Sequence, residues 1–437
     1  MTRLINHLLM LCLVFPAAAA LTAAQGGRVI GQIEFEGLKA ITPEEAIATS
    51  GLKAGQPFKV EDVDAAAQRL LDSGIFKQLG YRTRTVGNKV TITFKVEEAS
   101  TGDLPVVFDN FIWFSDEQLL AAVRKEVPSF AGRAPGVGKM PEAITRALQQ
   151  LLVDQKLPGT VEYMASADMS ARVVAHVFSV TGVKMPICAF HFPGAKNVSE
   201  AKLVDVSKAE LSDADYSSEL LRGFAGMKLF AIYRELGQLR AKFAAPVGKP
   251  DAVCKNGVDV TIPVEEGLIY SLGHTDWSGM NALTTDQLNQ TLGMKQGDVA
   301  NGVKFDRGLM ALQKTYGRQG YLEARVHSEP EFDDSAQKVN YKIEVNEGPQ
   351  YRMGSLSFKG LTERDAKALR DAWKLRRGEV FDEGYVAEDF FNKDIGSSLR
   401  NLFEERRALG KAPPLLKTNL HPNRESLTVD VTLELAN

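Results

Sequence analysis

Long apolar runs are rare in this sequence of 437 residues. Past residue 24, none approaches the ~18 apolar positions that a membrane helix needs. Clusters of Lys or Arg are missing too, and a net charge of -3 supplies no bulk attraction to nucleic acid. A nucleic-acid partner is therefore not expected. Histidine is sparse: His7, His176, His191, His274, His327 and His421 are scattered, and none has a second His or Cys at metal-ligand spacing. Gly132 to Lys139 approaches a phosphate loop, but Met140 stands where a Ser or Thr would hold the metal, and one residue too many separates its outer glycines. Ser199-Glu200-Ala201-Lys202 fits Ser-x-x-Lys without that chemistry's partner motifs and reads as a helix cap. These gaps argue against an enzyme. No catalytic residue, metal ligand, cofactor or small-molecule substrate is expected.

Cysteine is scarce as well. Cys12 falls in an N-terminal segment built from Arg3, the apolar stretch Leu8 to Phe15, and a run of small residues from Pro16 to Ala24. That order reads as a signal peptide over residues 1–24, with an uncleaved membrane anchor as the competing reading. Two cysteines remain, Cys188 and Cys254. An exported chain that keeps both within one small unit makes them a disulfide candidate. Two buried free thiols are the alternative.

With 44% hydrophobic and 24% charged residues the chain reads as globular, and its length suits several small cores rather than one. What it has in quantity is repetition. The phrase Leu356-Ser357-Phe358-Lys359-Gly360 echoes Ile33-Glu34-Phe35-Glu36-Gly37 and, more loosely, Phe190-His191-Phe192-Pro193-Gly194. Val345-Asn346-Glu347-Gly348 likewise echoes Val264-Glu265-Glu266-Gly267 and Val96-Glu97-Glu98. Gly194 to Gly279 is 85 positions, and Gly279 to Gly360 and Val264 to Val345 are 81 each. A recurring interval near 80 predicts an array of small α+β domains.

Each unit reads as strand, helix, helix, strand, strand. The expected boundaries are 27–99, 102–184 with an inserted loop at 128–138, 185–267, 268–348 and 349–437. Thr42, Ser115, Thr284 and Thr362 stand as helix caps. The second unit is expected to open with a strand from Val106 to Phe114. The longest helical segment of the third runs from Tyr216 to Gly237. Glu265, Glu266 and Glu347, at unit exits, read as hinge or inter-domain positions.

Between the helices stand Leu52-Lys53-Ala54-Gly55-Gln56-Pro57-Phe58, Met294-Lys295-Gln296-Gly297 and Leu375-Arg376-Arg377-Gly378-Glu379-Val380-Phe381, and Tyr316-Gly317-Arg318-Gln319-Gly320-Tyr321 precedes a hairpin. With the order of elements, these phrases resemble the POTRA family, and five such units resemble the periplasmic arm of BamA-type outer-membrane assembly factors, without their barrel. The resemblance implies a tandem array of βααββ domains, each a three-stranded mixed sheet covered by two helices. It also implies a periplasmic, protein-binding scaffold in outer-membrane protein assembly, insertion or secretion. The partners would be outer-membrane or secreted clients and a separate barrel chain. The exposed edge would be each unit's second strand, which names Tyr81, Arg82 and Arg84, then Leu239, Arg240 and Lys242, then Tyr321, Glu323 and Arg325 as partner-binding positions. An envelope or cell-division scaffold held by an uncleaved anchor is the alternative.

Overall fold

In the first helical turn after the opening strand, Thr42 caps the backbone of Glu45 and the Glu45 side chain caps Thr42 in return. This reciprocal pair satisfies two donors that a helix start leaves free. The same device recurs at Ser115 with Gln118 and at Thr284 with Gln287. The computed structural model describes residues 27–99, 103–394 and 415–436. The expected signal peptide, Cys12 and His7 lie outside them. The chain divides into two compact units, Met1–Val183 and Lys184–Asn437.

The first unit holds two modules. Module 1 is β1 (Val29–Glu36), α1 (Pro43–Ser50), α2 (Val60–Asp72), β2 (Phe76–Val86) and β3 (Lys89–Glu98). β3 lies centrally, parallel to β1 and antiparallel to β2. Its inward positions Val90, Ile92, Phe94 and Val96 meet Val63, Ala66 and Leu70, which are spaced to line one face of α2. Burying each large side chain contributes roughly 1.5–3 kcal/mol, and Phe94 and Leu70 are fully covered.

Module 2 is β4 (Asp103–Phe108), α3 (Asp116–Glu126), β5 (Arg133–Pro135), α4 (Met140–Asp154), β6 (Thr160–Ala167) and β7 (Val173–Thr181). Two expectations change here. The opening strand stops at Phe108, because the Asn110 side chain takes over the ladder by bonding both N–H and C=O of Val180. The inserted loop is not plain loop: β5 joins the sheet, giving the four-stranded order β5-β4-β7-β6. Buried His176 ties this addition down, its Nε2 3.1 Å from the Pro135 carbonyl and its Nδ1 3.0 Å from the Tyr163 hydroxyl.

The second unit holds three modules. Module 3 runs through β8 (Ile187–His191), α5 (Glu200–Leu211), α6 (Ser218–Phe224), α7 (Phe230–Glu235), β9 (Lys242–Phe243), β10 (Val247–Pro250), β11 (Val258–Thr261) and β12 (Val264–Glu265). A π-helical turn at Ala225–Leu229 joins α6 to α7. Its hairpin is split: β10-β11-β8 form one sheet, while β9 pairs with β12 alone. Pro246 and Pro263 fall between the two pieces. Neither can donate to a ladder, so the regular pairing is interrupted there, with the Pro263 carbonyl still accepting the Ala244 N–H at 2.9 Å.

Module 4 is β13 (Ser271–Ser278), α8 (Thr285–Leu292), α9 (Gly302–Arg318), β14 (Arg325–Asp333) and β15 (Lys338–Asn346). Module 5 is β16 (Arg352–Lys359), α10 (Glu363–Ala372), a π-helical segment at Tyr385–Asp394, β17 (Leu415–Asn423) and β18 (Thr428–Ala436). Both sheets repeat the order of module 1, with the last strand central. The fold is thus mixed α+β, built on repeated three-stranded mixed sheets.

Candidate protein-binding edges

A central last strand leaves the second strand of each module with one side of its backbone facing outward. In module 1 this is β2, and no described strand pairs with its outer edge. Alternation along β2 divides its side chains. Tyr81 turns toward the helices, its ring 5.9 Å from Phe94 and its hydroxyl donating to Asp64 Oδ1 at 2.5 Å. That hydrogen bond, reinforced by partial burial, pushes the phenol up to about 12. Arg82 and Arg84 occupy the opposite face, and Arg82 pairs with Glu36 of β1 at 2.6 Å. Gln78, Leu79 and Gly80 together with Lys95, Val96 and Glu97 line an open groove of about 370 Å³ at the start of the β2–β3 hairpin.

The positions expected in module 3 do not form an edge strand. Gln238 turns the chain off α7: its N–H donates to the Tyr233 carbonyl, and its buried amide donates to the carbonyls of Glu266 and Gly267. Leu239 and Arg240 therefore lie in a turn. Only Lys242 is in a strand, the short β9, and the outer strand of the main sheet is β10. Beside β9, Arg222, Ala225, Gly226 and Phe230 line a groove of about 280 Å³ closed by residues 241–244.

In module 4 the edge begins at Arg325, four residues later than the sequence suggested. Tyr321 donates its N–H to the Tyr316 carbonyl and Ala324 donates to the Tyr321 carbonyl, which keeps the chain in a turn. Tyr321 is packed edge-on against Tyr316, with ring centroids 6.0 Å apart. Glu323 accepts from the Tyr351 hydroxyl at 2.7 Å and from Arg424 Nη2 and Nε at 2.6 and 2.8 Å. The Arg424 guanidinium first, and Tyr351 after it, bring the Glu323 carboxyl down to about 2. Leu239, Arg240, Tyr321 and Glu323 thus belong to turns and joints. Tyr81, Arg82, Arg84, Lys242 and Arg325 lie on strands.

Sequence reasoning left out two features. The first is β6, the outer strand of module 2, with exposed Tyr163 and Met164 and a single charged residue, Glu162. Charge and proline guard the other edges: Arg82 and Arg84 on β2, Pro330 on β14, Pro422 on β17. The second is the role of the exit glutamates, which was sought between domains and lies within them. Glu98 accepts the backbone N–H groups of Lys39, Ala40 and Ile41. Glu266 does the same for Lys196, Asn197 and Val198, and Glu347 for Asn281 and Ala282. Each carboxylate thus fastens the loop leading from a module's first strand to its first helix. The repetition of Val-x-Glu in the sequence was the available signal.

Cys188 and Cys254 are joined by a disulfide across 66 positions. Gly257 makes room for it, since a Cβ at that position would run into both sulfurs. Among the described residues, no helix is long and apolar enough to cross a membrane.

A family model described as "POTRA: Surface antigen variable number repeat" matches residues 29–99 and 270–348. Those ranges hold modules 1 and 4. The chain is 23% identical over 420 residues to a putative outer membrane protein assembly factor of Treponema pallidum, covering 94% of this chain and 48% of that protein. It is 21% identical over 262 residues to outer membrane protein assembly factor BamA of Neisseria meningitidis serogroup B, covering 55% of this chain and 31% of that protein. The chain therefore spans about half, or less, of these curated relatives. Among solved structures, POTRA3-5 of Haemophilus influenzae BamA is similar at 19% identity and a TM-score of 0.40, over 58% of this chain and 96% of that one.

Proposed function

We propose that this chain, a POTRA-domain protein resembling BamA-type outer-membrane assembly factors, is a periplasmic scaffold that binds extended segments of client or partner proteins during outer-membrane protein assembly or secretion. The observation that carries the reading is the repeated placement of a module's second strand at a sheet edge that no described strand pairs, as in β2, β6, β14 and β17. An open edge offers alternating N–H and C=O groups at strand spacing, so an arriving extended chain gains a ladder of backbone hydrogen bonds whatever its sequence. Neighbouring side chains then bias the choice. Arg82 and Arg84 favour clients with acidic residues at alternate positions, while β6 suits apolar ones.

Crosslinking in the envelope tests this. Photoreactive residues at Thr83, Tyr163 and His327, on three different edges, are expected to capture outer-membrane or secreted proteins in their unfolded form. The same residue at Lys295, on an exposed turn between helices, should capture far less. Equal capture at edge and turn positions, or capture of none at the edges, would count against the scaffold reading.

A further inference from the structure

Three of the helices that lead into a hairpin end alike. α2 stops at Asp72, α7 at Glu235 and α9 at Arg318, and two residues later stand Gly74, Gly237 and Gly320, with φ of 77°, 81° and 82°. Each touches the next module in its unit. A Cβ on Gly237 would lie 2.7 Å from the Tyr270 carbonyl oxygen and 3.1 Å from Val299 Cγ1. On Gly320 it would lie 2.5 Å from the Tyr351 carbonyl oxygen and 3.1 Å from Val380 Cγ1. On Gly74 it would run into the Val137 carbonyl, and Gly138 lies directly against the Gly74 backbone. Val137, Val299 and Val380 all sit in the glycine-bearing turn before the second helix of their modules. Lys156 holds the corresponding place after α4, at φ 54°.

Hydrogen bonds follow the contact. Tyr270 donates its N–H to the Gly237 carbonyl at 3.0 Å and Tyr351 to the Gly320 carbonyl at 2.8 Å. At the first joint Lys139 donates its N–H to the Asp72 carbonyl at 2.6 Å, and its ammonium pairs with the Asp72 carboxylate at 2.9 Å. The glycine-lysine stretch that resembled a phosphate loop is thereby occupied by protein. Beside two of the joints stands a triad. Arg240, three residues past Gly237, pairs at 3.1 Å with Asp334, which also accepts from the Tyr270 hydroxyl at 2.7 Å. Glu323, three residues past Gly320, pairs with Arg424 and accepts from Tyr351. In both, an arginine and a tyrosine meet one carboxylate and the signs across the joint are exchanged; the tyrosine's bond stays within module 4 at the first joint and crosses from module 5 to module 4 at the second.

We propose that the left-handed glycine closing a module's second helix is the socket on which the following module docks, and that the acid, arginine and tyrosine beside it hold the docked angle. A Cβ in the socket meets a backbone carbonyl, which cannot swing aside as a flexible side chain can, so the neighbouring module has to move away. This concerns how modules are held to one another and stands apart from what their edges bind.

The test uses the full chain carrying nitroxide labels at Lys295→Cys and Arg377→Cys, on modules 4 and 5, with distances read by pulsed EPR. A second pair, Lys295→Cys and Lys338→Cys, reports on module 4 alone. Gly320→Asn is the informative variant, because Asn tolerates the left-handed conformation and changes only the space. It is expected to broaden the distribution between modules and leave the one within module 4 unchanged. Glu323→Arg and Arg424→Glu should each broaden the inter-module distribution, and the double variant should narrow it again. An unchanged inter-module distribution in Gly320→Asn, or broadening of both pairs together, would overturn the socket. A double variant as broad as its parents would overturn the triad.

Discussion

Glu347 shows how one side chain can set a fold's response to acid. Burial by itself would raise its carboxyl, but the N–H groups of Asn281 and Ala282 outweigh burial and hold the group below its ordinary value; Glu98 and Glu266 are lowered against burial in the same way. A carboxyl lowered by folding contributes stability that is in place above its unfolded pKa, about 4.3, and is lost as pH falls through the folded pKa. Thermal melts followed from pH 7 downward should therefore show the Glu347→Gln variant losing less stability than the parent chain as that range is crossed. Glu347→Ala, which leaves two inward-facing donors without a partner, should cost about 1–3 kcal/mol at neutral pH, read by urea unfolding. Buried Tyr316 and Tyr233 are pushed upward by burial and then by the neighbouring Glu347 and Glu266, so neither ionises in the neutral range.

At the scale of elements, caps and central strands were legible, and the edges less so. The Thr42 and Glu45 spacing located α1, and Thr42→Ala is expected to lower stability by about 1 kcal/mol, measured as a shift in denaturant midpoint with unchanged slope. Val90, Ile92, Phe94 and Val96 alternate in the sequence because β3 is buried on its helix face, and this made the strand readable. The start of β14 was not readable. Tyr321 to Ala324 alternates as a strand would, yet Glu323 is drawn into a joint by Arg424, a residue 101 positions away. Local pattern carries no record of such a partner. The split hairpin of module 3 had a visible cause in Pro246 and Pro263, whereas β5 is three residues long and too short to announce itself. The candidate edge in module 1 was legible for the opposite reason, since β2 keeps one pattern from Gln78 to Thr85, past the bulge between Phe76 and Gln78 that hid its start.

On the scale of the whole molecule, the repeat interval in the sequence corresponds to a succession of similar sheets. The disulfide makes module 3 the exception, since Cys188 on β8 is tied to the loop ahead of β11. Closing a loop of 66 residues should contribute about 4 kcal/mol to that module. Under reductant, proteolysis is expected to begin within residues 185–267 while the rest persists; uniform digestion along the chain would contradict this. Similar modules strung on one chain also face a hazard during folding, because a newly formed socket can be met by the wrong neighbour before the right one arrives. Arg240 and Glu323 bear on that choice. If module 5 reached the socket of module 3, Arg424 would confront Arg240; if a second chain's module 4 reached the socket of module 4, its Asp334 would confront Glu323. Like charges at that distance oppose docking, so the exchanged signs act while the chain is still assembling, as a record of which module comes next.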